Sequence, residues 1–493
     1  MRIGFDNDKY LELQASHIRE RIAQFGGKLY LEFGGKLFDD LHASRVLPGF
    51  EPDSKYRMLK SLRDDVEMII AINANHIEKN KARGDLGITY DEDVLRLADV
   101  FRGDGFKIAG VVLTQYANQP AADAFRRRLD MLGIPCYLHF PIEGYPHDID
   151  LIVSEGGYGK NEFVETERPL VVVTAPGPGS GKLATCLSQL YHENARGVAA
   201  GYAKFETFPV WNLPLNHPVN IAYEAATVDL DDANIIDSFH LEAYGKTTVN
   251  YNPDVEAFPV VRALMEKIQG ESPYASPTDM GVNMVGFAIC DDEACRDAAR
   301  AEIVRRYFAA AEAVKRTGAG AEQVSRLKAI MQKARVDKDY LPTRAAALSR
   351  EDETGGPVGA LMLADGRVVT GKTSERLGAA SSLLMNALKT VAGVDLERNV
   401  IDDDAINPIC RLKTEHLASR NHRLHSDETL IALSITSGTS ETAARVIGAL
   451  PELRGCDAFF SVIVSETDEE IYRKLGINVC CEPKYERHGL YHR

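Results

Sequence analysis

The chain has 493 residues, 45% of them hydrophobic and 26% charged, with a formal charge of −15. That length predicts several domains with real cores. The acidic balance argues against a general nucleic-acid or anionic-membrane binder, because such surfaces are basic. The start, MRIGFDNDKYLELQ, has no apolar signal core, and no apolar run approaches the roughly 18 residues of a membrane span. A cytoplasmic protein without a membrane partner is expected. The 8 cysteines form no C-x-x-C and read as reduced, mostly buried thiols.

Taken in chain order, the first half alternates strands and helices. KLYLEF (28–33) predicts a strand, KYRMLKSLRDDV (55–66) a helix, and EMIIAIN (67–73) a buried strand. TYDEDVLRLADVFRG (89–103) predicts a helix with acidic residues at its start, which suits the helix dipole. KIAGVVLTQY (107–116) predicts a strand, AADAFRRRLDMLG (121–133) a helix, and IPCYLHF (134–140) and IDLIVSE (149–155) two more strands. Short apolar strands between helices imply a parallel sheet covered on both faces, with ligands at the carboxyl ends of its strands.

The most informative stretch follows. LVVV (170–173) leads into a loop with three glycines, closed by Gly181-Lys182, and a helix-compatible run succeeds it. Strand, glycine loop and helix together cradle a phosphate: loop N–H groups point inward, the helix terminus is partly positive, and a lysine neutralises the anion. The motif is degenerate. Against G-x-x-x-x-G-K-[ST], the first glycine position holds Pro176 and the hydroxyl position holds Leu183. Gly177, Gly179, Ser180, Gly181 and Lys182 are the candidate phosphate contacts, with Lys160 and Lys36 as secondary ones from other strand-end loops. Glu32, Asp39 and Glu155 are candidate acid/base groups. The alternative for each is a tight turn and a solvated side chain. Gly245-Lys246-Thr247-Thr248 has the tail of the motif without its strand and reads as a turn.

Residues 203–290 are rich in Asn, Pro and Gly and predict long polar loops that line a site, cover a domain or form an oligomer contact. Helices are predicted at 291–316 and 322–336, and 339–357 reads as a linker. ALMLADGRVVTGK (360–372) predicts a hairpin turned at Asp365-Gly366, with Ser374 capping the helix that follows. DAFFSVIVS, ETDEEIYRKLG and INVCCEP predict a strand–helix–strand unit. Hairpin and helix look like the opening of a deaminase-type layer, without the zinc signature. Ser437–Ser440 reads as an ordinary helix cap. No H-E-x-x-H is present, which excludes that zinc-peptidase motif, and no G-x-S-x-G or metal-ligand spacing appears; no metal is expected.

The phrases GYAKFETFPVWNLPLNHPVN, YLEFGGKLFDDLHASRVLPGF, RGDLGITYDEDVLRLAD and VVVTAPGPGSGK resemble an uncharacterised bacterial family, known as a domain of unknown function, over essentially the whole chain. The resemblance implies a multidomain α/β architecture and brings no established activity. Some members carry the label ATP-dependent peptidase. The expected fold class is thus α/β: a Rossmann-like parallel sheet with the degenerate phosphate loop over 1–230, a mixed, helical middle region over 231–345, and a C-terminal α/β domain over 346–493. The expected function is binding of ATP, another nucleotide or a phosphorylated metabolite at 177–182. The alternative is a non-catalytic, homo-oligomeric scaffold with a vestigial loop.

Overall fold

A computed structural model describes residues 2–38, 40–83, 86–230 and 232–486. The chain forms two compact units, one from 3–224 and 230–296, the other mainly from Asp297 onward with Ala225–Asp229. The middle region 231–345 is therefore shared between the two. No helix among the described residues is long and apolar enough to cross a membrane.

The larger unit is built on a seven-stranded sheet among its described residues. Its strands are β1 (Leu29–Phe33), β2 (Val66–Asn73), β3 (Lys107–Thr114), β4 (Cys136–Leu138), β5 (Leu170–Thr174) and β6 (Gly201–Phe205). After a small antiparallel pair, β7 (Asn234–Ile236) and β8 (Val249–Tyr251), β9 (Gly281–Val282) completes it. The order is β4-β3-β2-β5-β1-β6-β9, with every pairing parallel. Side-chain alternation feeds two cores. Leu29, Leu31, Met68, Ile70 and Val172 pack on one face. Tyr30, Ile69, Ala71, Val171 and Val173 pack on the other. Burial on both faces explains why these strands read as continuous apolar runs. Each fully buried Ile or Val contributes roughly 1.5–3 kcal/mol against leaving it in water.

The topology fixes where a ligand crevice lies. From β2 the chain steps outward to β3 and β4, then returns so that β5 pairs with the other edge of β2. Strand order reverses between β2 and β5, and such a switch point opens a crevice at the carboxyl ends of the strands.

Three expectations are corrected. IDLIVSE is no strand: Ile149–Ile152 is one helical turn, because Asp148 accepts from the Leu151 N–H at 3.0 Å and caps it, and Ile152 is buried. Residues 339–357 are no linker: Pro342–Thr354 is a helix opened by proline and closed by Gly355 at φ 70°. The polar stretch 203–290 holds the 18-residue helix Asn252–Gln269. A helix at Asn7–Gln24, capped by Asp6, is an element that the opening residues did not suggest.

In the second unit, β10 (Val358–Met362) and β11 (Val368–Lys372) form the expected hairpin, with Gly366 at φ 87° in its turn. With β12 (Asp457–Phe460) and β13 (Asn478–Cys481) the order is β11-β10-β12-β13. The helix Ala379–Val391 begins four residues after the predicted start at Glu375, with Gly378 as its cap. It lies so close to β11 that a Cβ on Gly371 would stand 2.2 Å from the Leu383 backbone nitrogen.

Candidate functional site

The loop after β5 sits at the switch point, and its shape follows from its glycines. Gly179 and Gly181 adopt φ 73° and 86°, a left-handed region that other residues enter at a cost. A Cβ on Gly181 would meet Thr114 at 2.8 Å, and one on Gly177 would meet the Tyr90 hydroxyl at 2.3 Å. The neighbouring strand ends hold the loop by its carbonyls. Asn73, at the end of β2, donates to the Gly179 carbonyl at 3.2 Å. Thr114, at the end of β3, donates to the Ser180 carbonyl at 2.8 Å. Ser180 itself is buried and bonds the Gly177 carbonyl at 2.8 Å.

With its carbonyls tied back, the loop leaves its amides unspent. The N–H groups of Gly179, Ser180, Gly181, Lys182, Leu183 and Ala184 donate to no acceptor among the described residues. Gly181 caps the helix Lys182–Ala195 without a side-chain bond. These same residues line a cavity of about 520 Å³. A helix N-terminus with unsatisfied N–H groups favours an anion. Lys182 is half-buried and forms no ion pair among the described residues. The magnesium-binding hydroxyl of a phosphate loop has no counterpart. Leu183 occupies its position, and the buried Thr185 hydroxyl donates to the Gly181 carbonyl at 2.9 Å.

The remaining wall comes from the ends of β1 and β4 and from the turn at 156–161. Glu32 lines the cavity and accepts from the Tyr202 hydroxyl at 2.8 Å. Its strand neighbour in β6 is Lys204, which is ion-paired with Asp254 and with Glu206 at 3.1 Å. Burial opposes the Lys204 charge, but Asp254, Glu206 and Glu32 outweigh it and hold the ammonium above its ordinary range. Burial drives the Glu206 carboxyl up, toward neutrality, against the pull of Lys204. His139 is buried, and desolvation lowers it to about 4. Its Nε2 lies 3.2 Å from the Glu162 carbonyl, which can only accept, so Nε2 carries the proton. Tyr158 is 1% exposed, and its hydroxyl has no hydrogen-bond partner among the described residues. The turn that delivers it needs Gly157, where a Cβ would stand 2.2 Å from the Leu151 carbonyl oxygen. Gln115, also on the wall, holds φ 54°, a strained value for a non-glycine.

The structure brings together Glu32, Gly179, Ser180, Gly181 and Lys182 of the residues expected from sequence. Gly177 does not line the cavity; its carbonyl accepts from the Ser180 hydroxyl within the loop. Lys36, Glu155 and Lys160 are exposed and do not line the cavity; Glu155 accepts from the Tyr191 hydroxyl at 3.2 Å. The loop 156–161 does reach the site, but through Tyr158 and Asn161 instead of its lysine. Asp39 lies outside the described residues. Sequence reasoning missed His139 and Tyr158 on the wall, and the Lys204–Glu206–Asp254 group that stands beside Glu32 without lining the cavity; the legible signal was a lone lysine in the apolar strand GYAKF and a tyrosine between glycines. Cys186, near Lys182, is fully buried, and desolvation holds its thiol well above the reactive range. Gly245, at φ 65°, simply ends the helix Ser238–Tyr244.

A second concavity of about 580 Å³ lies against Trp211, lined in part by Arg21, His240 and Asp279. Arg21 donates to the Asp279 carbonyl, at 2.5 Å, and His240 pairs with the Ser276 hydroxyl at 2.9 Å.

Comparison with known proteins gives the chain its relatives. Residues 3–335 match the domain of unknown function DUF1846, N-terminal, and residues 339–491 its C-terminal counterpart. A UPF0371 protein of Corynebacterium aurimucosum is 57% identical over 486 residues, 98% of each chain. One from Corynebacterium efficiens is 56% identical over 494 residues, covering all of both chains. One from Streptococcus thermophilus is 54% identical over 490 residues, 99% of each. With both family domains matched end to end and relatives of this identity over their full length, the chain belongs to the DUF1846 family.

Proposed function

We propose that the larger unit binds a phosphate-bearing small molecule, a nucleotide such as ATP or a phosphorylated metabolite, on the amides of 179–184 and Lys182. The observation that carries this reading is the run of unspent N–H groups at a helix N-terminus, on residues that line a cavity at the sheet's switch point. The helix dipole adds only about 0.3–1 kcal/mol, so affinity rests on several N–H donors and the lysine together. Glu32, on the same wall, is the candidate acid/base group. In the second unit, the hairpin and the order β11-β10-β12-β13 support a deaminase-type layer that has kept its frame without the zinc signature.

Calorimetric titration of the full chain with inorganic phosphate, ATP, GTP and sugar phosphates tests the reading. Lys182→Ala is expected to weaken binding roughly tenfold, about 1.4 kcal/mol. Unchanged affinity in that variant overturns the placement.

A further inference from the structure

The cavity is more than an anion cradle, and a second set of groups says what the rest of the ligand must be. Tyr158 carries a buried hydroxyl that donates to nothing among the described residues, an observation independent of the helix terminus. His139 stays neutral at ordinary pH, since burial lowers it to about 4, and its Nε2–H is given to the Glu162 carbonyl. Its Nδ1 is therefore an acceptor, and no donor among the described residues meets it. Glu32 has one carboxylate oxygen engaged by Tyr202, while the other receives no donor among them. One donor and two acceptors on the wall thus lack partners. A second anionic group would be repelled by Glu32. A hydrocarbon would leave all three groups unpaired and desolvated. A hydroxyl both donates and accepts, and a set of hydroxyls answers all three.

We infer that the ligand is a phosphate monoester of a polyol, of the sugar-phosphate class, with its phosphate on the 179–184 amides and its hydroxyls on Tyr158, His139 and Glu32. This rests on the loop being an anion site and narrows what that site selects. Inorganic phosphate satisfies only the loop. An alkyl phosphate leaves the wall unpaired.

The test is calorimetric titration of the full chain with ribose 5-phosphate, glucose 6-phosphate, n-propyl phosphate, inorganic phosphate and ATP. At least one sugar phosphate is expected to bind more than about tenfold tighter than propyl phosphate, because a site built to pair hydroxyls rejects an analogue that lacks them. Tyr158→Phe and Glu32→Gln each remove most of that margin, and Tyr158→Phe leaves propyl phosphate within about twofold. Tyr158→Phe deletes a hydroxyl that bonds nothing among the described residues, so it folds as the parent does and decides the matter alone should Glu32→Gln fail to fold. Equal affinity for sugar and propyl phosphates, or a margin that Tyr158→Phe leaves intact, overturns this inference while the loop reading stands. Failure of every phosphate to bind overturns both.

Discussion

Two buried polar clusters, one in each unit, use similar residue types to opposite ends. In the second unit, Asp468 accepts from the Ser426 N–H at 2.8 Å, the Ser426 hydroxyl at 2.7 Å and the Ser465 hydroxyl at 2.7 Å, and faces His425 Nδ1 at 3.1 Å. Ser, His and Asp are all present, yet this is no catalytic triad: the histidine turns the same nitrogen to Ser465 and to Asp468, so no proton can pass across the ring. The group ties the start of one helix, Ser426–Ser437, to the start of another, Glu466–Lys474, and both carboxylate oxygens are used. At the carboxyl edge of the seven-stranded sheet, by contrast, a run of amides, the Tyr158 hydroxyl and His139 Nδ1 have nothing within the described protein to bond. A saturated cluster stabilises a fold, whereas an unsaturated one at a cavity contributes no such bonds to it and is what the proposed ligand would pair.

The largest effect should come from breaking the saturated cluster. Asp468→Ala strands several buried donors and is expected to cost the second unit roughly 3 kcal/mol. Denaturant unfolding monitored on that unit reads it; a loss under about 1 kcal/mol would mean the cluster is not stabilising. Lys182→Ala should do the reverse, lowering phosphate affinity about tenfold while leaving the unfolding midpoint unchanged. Were Lys182→Ala to destabilise as Asp468→Ala does, the contrast between the two clusters would collapse.

Acidity sharpens the comparison at a finer level. Hydrogen bonding to Asp468 raises His425, so its contribution is complete below the unfolded value of 6.5 and is lost as pH climbs through the folded value. Burial acts against the Asp468 charge, but His425 and the serines overcome it and lower the carboxyl. That contribution is present above the unfolded value of 3.8 and is lost as pH falls through the folded one. The stability difference between wild type and Asp468→Asn should therefore peak between 3.8 and 6.5. A difference that is flat from acid to neutral pH would remove the coupling. In the sheet unit, Glu206 is raised by burial, so its contribution fades as pH rises, and Glu206→Gln should flatten that slope. The smallest expected effect is that of magnesium. Leu183 stands at the hydroxyl position and Thr185 is engaged, so sugar-phosphate affinity should change less than about twofold between millimolar magnesium and chelator. A strong dependence would mean that the ligand brings a metal to residues not assigned to one.

Much of this was legible from residue order. The parallel sheet followed from continuous apolar strands such as EMIIAIN and LVVVT, because burial on both faces removes alternation. The loop was legible from its glycines and lysine. Its neighbours were not. IDLIVSE has the composition of a strand, and only the Asp148 cap together with Ile152 docking on the sheet turns it into a helical turn. Helix Pro342–Thr354 carried its own signal, proline at the start and glycine at the end, in a stretch whose polarity suggested a linker. Lys36, Lys160 and Glu155 were reasonable beside the expected strand ends, but all three are exposed, and 149–155 forms no strand to carry Glu155 and Lys160 to the crevice.

The sequence by itself determined the fold class, the strand–loop–helix and its family, because apolar periodicity and glycine placement are local properties that short-range sterics enforce. Only the tertiary structure decided which polar groups remain unpaired. Asn73 and Thr114 hold the loop carbonyls from two other strands, Gly157 turns Tyr158 inward, and Glu162 fixes the proton of His139. Hydrogen bonds are shared out among residues tens of positions apart, and that sharing, which no stretch of sequence contains, leaves the site its open donors and acceptors.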